Sequence, residues 1–169
     1  MNSLVVLLLF SLIFGALVGF GLRFTVSSMN TDMSNATLVG LSGAAMLLFL
    51  PSWLAYQLSE RYLAAVLIQL FVGAIAGMVS GYFWDSLLSC VLVGVMASLT
   101  LWITTSLIAS SLYWVAGVVA LLTFLLNVVG HSLGSRPLWV YLLLAVGTSA
   151  ISQLTAWLAH KLSDWLTMN

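Results

Sequence analysis

The chain has 169 residues, of which 63% are hydrophobic and only 5% are charged, against about 25% charged in a soluble domain. Four basic and four acidic side chains leave no cluster that could neutralise a phosphate backbone, so nucleic acid is not expected as a partner. The single cysteine, Cys90, excludes an intrachain disulfide and a cysteine-based metal centre.

Residues 4–26 are apolar apart from Ser11, Arg23 and Thr25, long enough to form a first membrane helix. A cleaved signal peptide is the competing expectation, but Met1-Asn2-Ser3 carries no Lys or Arg and no A-x-A pattern follows the apolar run. Gly15 and Gly19 sit four apart, a spacing that lets a second helix approach backbone to backbone. Arg23, near the end of the span, suits a side chain that snorkels to the headgroups.

Ser27 to Ala36 is the first polar stretch, rich in turn-forming Ser, Asn, Thr and Asp, and predicts a short loop. A second helix is predicted over residues 37–57. Pro51 within it lacks the amide proton and crowds the carbonyl of Leu47, so a kink near Leu47 to Pro51 follows, with Pro51 as a hinge. A stop at Leu50 would leave about 14 residues, or roughly 21 Å, too short to span, which favours a kinked crossing over an ending. Ser59-Glu60-Arg61 predicts a tight loop at the membrane boundary, flanked by Trp53, Tyr56 and Tyr62.

The third helix, residues 62–84, carries the most regular pattern in the chain: Gln69, Gly73, Gly77, Gly81 and Asp85 recur every four residues. On a straight helix each such step rotates by about 40°, so Gln69 and Asp85 fall about 160° apart and cannot share a site. Gly73, Gly77 and Gly81 form a surface for a crossing partner, expected to be the first helix through Gly15 and Gly19. Gln69 lies roughly 10 Å inside the span, where a lone amide is costly; it should bond to another helix or line a solute path. Asp85 is expected to N-cap the fourth helix, residues 86–106.

The uncharged stretch from Ser86 to Gly130 is too long for one straight crossing, so it divides at the hydroxyl-rich patch around Thr104 to Ser111. The fifth helix is then 112–130, with Asn127 near its end. His131 to Pro137 is a loop, and the sixth helix is 138–160, with Gln153 as a second deep amide. His131 and His160 lie at opposite ends of that helix, about 43 Å apart if the stretch between is helical, so one cofactor cannot take both. No catalytic, metal-binding or cofactor-binding motif is present, and no cofactor or enzyme activity is expected.

These features define an all-α integral membrane protein: a compact bundle of six, alternatively five, transmembrane helices with short loops, forming a single domain over residues 1–169. The lipid bilayer is its surroundings, and assembly with copies of itself or with a larger membrane protein is expected from the small-residue faces. Gln69, Asn127 and Gln153 are candidates for a polar path or for interhelical hydrogen bonds, consistent with a small-solute transporter or channel, or a subunit of one; the alternative is a structural or assembly subunit of a larger membrane complex. A bacterial-type inner membrane is expected. Arg23 and Arg136 on one side tie with Arg61 and Lys161 on the other, and the terminal amine tips the balance towards both termini in the cytoplasm.

Overall fold

A computed structural model describes residues 3–28, 43–107, 111–130 and 137–168. Among these residues the chain is all-helical. The helices are α1 (Ser3–Ser28), α2 (Leu50–Ser59), α3 (Tyr62–Ser80), α4 (Phe83–Leu107), α5 (Leu112–Gly130) and α6 (Leu138–Met168), and a short helical stretch over residues 43–47 precedes α2. Four of them, α1, α3, α4 and α6, are long and apolar enough to cross a membrane. In α5 the described apolar run is shorter, Leu112–Leu125, and α2 has only ten residues. Most of the loop expected over 27–36 lies outside the described residues, as does the 131–136 loop.

The second helix departs from the expected kinked span. The chain makes a turn at Leu48 and Phe49, whose amides reach back only three residues, to the carbonyls of Ala45 (3.1 Å) and Met46 (3.3 Å). Pro51 then stands in the first turn of α2, where a missing amide proton leaves no bond unmade. Pro51 therefore starts a new helix instead of bending an old one. At the other end, Glu60 caps α2 in the left-handed conformation (φ 55°), donating its N–H to the Tyr56 carbonyl at 2.7 Å.

The third helix ends four residues earlier than expected. Gly81 adopts φ 83° and donates its N–H to the Gly77 carbonyl at 3.0 Å, closing α3. The hydroxyl of Ser80 accepts the Tyr82 amide at 3.1 Å and lies 3.3 Å from the Ser86 hydroxyl, so the α3–α4 hairpin is tied by side chains. Asp85 is not the N-cap of α4: the helix begins at Phe83 and the carboxylate falls within its first turn, where unpaired amides favour negative charge. Helix α6 continues past His160 to Met168, because residues 161–168 contain no Gly or Pro and bury Ser163.

Partner choice follows from where side chains are thin. A Cβ placed on Gly15 would stand 2.9 Å from Ile75 Cβ and from the Val72 carbonyl oxygen; one on Gly19 would stand 2.7 Å from the Ala76 carbonyl oxygen. Numbers rise together along the contact, so α1 and α3 run parallel. The α3 glycines face elsewhere: Gly73 lies against Cys90 and Leu87, and Gly77 against Phe83, all in antiparallel α4. In return, Gly94 of α4 admits Val66 and Ala65 of α3. Helix α6 is antiparallel to α5, the Ser152 hydroxyl donating to the Ala116 carbonyl at 2.7 Å. Helix α2 lies among α1, α3, α4 and α6. Large apolar side chains such as Leu8, Phe24, Leu88 and Trp139 point outwards while Ala, Ser and Gly fill the contacts, a distribution suited to lipid rather than water.

Candidate functional site

The interruption before α2 is the focus of the buried polarity. A carbonyl at a helix break has no partner along its own chain and must find one elsewhere if it is buried. The side-chain amide of Gln69, from α3, donates to the Leu48 carbonyl. One turn further along α2, the Ser52 hydroxyl donates to the Ala65 carbonyl at 2.9 Å. The first bond ties the turn before α2 to α3 and the second ties α2 itself to α3, and both side chains are completely buried.

Two polar atoms in this region have no hydrogen-bond partner among the described residues: the Gln69 carbonyl oxygen Oε1, an acceptor, and the Trp53 indole N–H, a donor. Trp53 is fully buried in the main core with Met46, Phe49, Leu101, Leu112 and Val115. Its ring lies 5.6 Å from that of Phe49. Neither Ser52 nor Trp53 stands out in the sequence as a site residue; a Ser directly after a mid-span Pro was the available signal for the first, and the aromatic-belt expectation masked the second.

Above this core, at the end of the bundle where α2 and α6 finish and α5 begins, a recess of about 300 Å³ is lined by Gln57, Ser111, Leu112, Tyr113 and His160. Leu112 belongs to both the recess and the Trp53 core. His160 lies 3.8 Å from Asp164 on the next turn of α6, both partly exposed. At the opposite end of the bundle, Leu22 of α1 meets Tyr82, Asp85, Ser86 and Ser89 around a second recess of about 310 Å³.

The three polar candidates from the sequence do not converge. Gln69 is held inside the α2–α3 contact, whereas Gln153, half-buried on α6, donates its amide to the Tyr113 carbonyl at 3.0 Å on the α5–α6 seam. The side chain of Asn127 lies outside the described residues. Gly15, Gly19, Gly73 and Gly77 stand at close helix contacts, but Gly81 does not: nothing lies within 4 Å of where its Cβ would be, and its place is fixed by its backbone conformation. Pro51 sits at the break itself. Among the described residues no three His, Cys, Asp or Glu side chains gather as a metal site would require. Comparison of the chain with known protein families, with curated proteins and with solved structures finds no match.

Proposed function

We propose that the chain crosses the bilayer six times and acts as a non-enzymatic small-solute transporter or channel, or as a subunit of one. The observation that carries this is the interrupted α2 segment. A ten-residue helix, with Pro51 in its first turn and four other helices around it, leaves a backbone carbonyl before it to be satisfied by a side chain, an arrangement that membrane transporters use where helices break at a binding site. A chain that needed only to fill space would be better served by a continuous helix. Glu60 lies at one end of the bundle and Asp85 at the other, which argues against their meeting in a catalytic centre. In this reading the membrane is a bacterial-type inner membrane and Arg61 and Lys161 lie on its cytoplasmic side, with both termini.

The test is solute flux in vesicles reconstituted with the purified protein. Gln69→Leu, which removes the bond to Leu48, is expected to change the flux, and Gln153→Leu to leave it unaltered. Equal flux in all three proteins would put the path away from α2.

A second role, as an assembly subunit alone or with copies of itself, draws on the small-residue face of α6. There Ala145, Ser149, Ala150 and Gln153 border an open groove of about 470 Å³ that a helix from another chain could enter. A stoichiometric larger partner retained on purification from native membranes, with no flux from the isolated chain, would favour this role.

A further inference from the structure

The buried polarity of the bundle has a distinct character. Every described Arg, Lys and Glu side chain is exposed, as is Asp85, and Asp164 is partly exposed. The buried polar residues are all neutral. Most of their hydroxyls are satisfied within their own helix, as when Thr100 donates to Met96, Thr104 to Thr100 and Thr155 to Ile151. What is left over beside the α2 break is one acceptor, Gln69 Oε1, and one donor, the Trp53 indole N–H.

An ion stripped of water would meet no counter-charge in this core, and its desolvation would go uncompensated. A small neutral molecule can both donate and accept, the two capacities that these atoms leave unfilled. The approach is also marked. Gln57 follows Trp53 by one turn of α2 and lines the recess of about 300 Å³, while Leu112 forms part of that recess and of the Trp53 core.

Resting on the transport role proposed above, we infer that the recess between α2, α5 and α6 is the mouth of the path, and that Trp53 and Gln69 recognise a small uncharged donor–acceptor solute of the size of water, urea or glycerol. Leu112 is the barrier between mouth and recognition point. Trp53 is the better residue to alter, since Gln69 also holds Leu48, whereas a phenyl ring in place of the indole removes the unpartnered N–H together with part of the ring's packing.

The experiment measures water, urea and glycerol permeability of proteoliposomes by stopped-flow light scattering, and K⁺ and Cl⁻ conductance in planar bilayers. The intact protein is expected to raise permeability to at least one neutral probe over empty vesicles and to conduct neither ion. Trp53→Phe should lower that permeability about three- to tenfold, the loss of one hydrogen bond, in a protein that still folds, with a lower thermal unfolding temperature from the lost packing. Tyr141→Phe, which removes another unpartnered hydroxyl in a separate cluster with Val140 and Leu144, should leave it unchanged. Ion conductance without neutral permeability would overturn the solute assignment and leave the transport role standing. No movement of any probe would overturn both. Unaltered neutral permeability in Trp53→Phe would remove Trp53 from the recognition point.

Discussion

A methyl group added at Gly77 would stand 2.7 Å from the Cα of Phe83 and 2.9 Å from its carbonyl oxygen, whereas one added at Gly81 would meet nothing within 4 Å. The two glycines belong to one row in the sequence but answer to different constraints. At Gly77 the neighbour is backbone and cannot rotate away, so Gly77→Ala is expected to separate α3 from α4 and destabilise the protein by about 1–3 kcal/mol. At Gly81 the constraint is φ 83°, and Gly81→Ala should cost about 1 kcal/mol without disturbing the hairpin packing. Unfolding of both variants in mixed micelles checks the pair; a larger loss at Gly81 than at Gly77 would contradict the assignment. The spacing of four was legible in the sequence. What each member of the row is for was not, because a residue type alone does not separate close approach from a left-handed turn.

At the scale of the element, α2 and the turn before it are held by two polar bonds that both lead to α3, from Gln69 to Leu48 and from Ser52 to Ala65. Interhelical hydrogen bonds in membranes average about 0.6 kcal/mol, but leaving the Leu48 carbonyl unsatisfied costs about 1–3 kcal/mol. Ser52→Ala should therefore be mild and Gln69→Leu severe. Because both act on one short helix, the double variant should depart from additivity by about 0.5 kcal/mol or more, measured in a double-mutant cycle. Strict additivity would mean that α2 does not move as a unit. Pro51 made an irregularity legible, and the depth of Gln69 made a cross-helix bond legible. That the two are the same feature was hidden, since the acceptor is a backbone carbonyl in the turn before α2 and carries no residue signature. The partner of the glycine row was misjudged for a related reason: α4 follows α3 through a short turn, so the hairpin claims that face first and leaves α1 to pack on another side of α3.

For the whole molecule, the contacts fix which ends lie together. The end of α1 meets the α3–α4 turn around Asp85, and the end of α2 meets His160 of α6 at the far side. In a bilayer, Glu60→Cys and Lys161→Cys should react with a membrane-impermeant maleimide from one side and Asp85→Cys from the other, while buried Cys90 stays unlabelled. Labelling of residues 60 and 85 from the same side would exclude the six-crossing arrangement. Fold class was legible from composition alone, since a chain this poor in charge has few alternatives to an apolar helical bundle; the order of helices within it depended on shape complementarity that composition does not encode. The parallel seating of α1 on α3 also bears on how the protein is made. Gly15 and Gly19 meet residues that follow them by nearly sixty positions, so at about 5–20 residues per second the ribosome delivers their partner roughly 3–12 s after α1 has emerged. During that interval the glycine face of α1 is without its α3 partner. The α3–α4 hairpin, by contrast, can close as soon as it is synthesised, which makes it the natural nucleus on which α1 later docks.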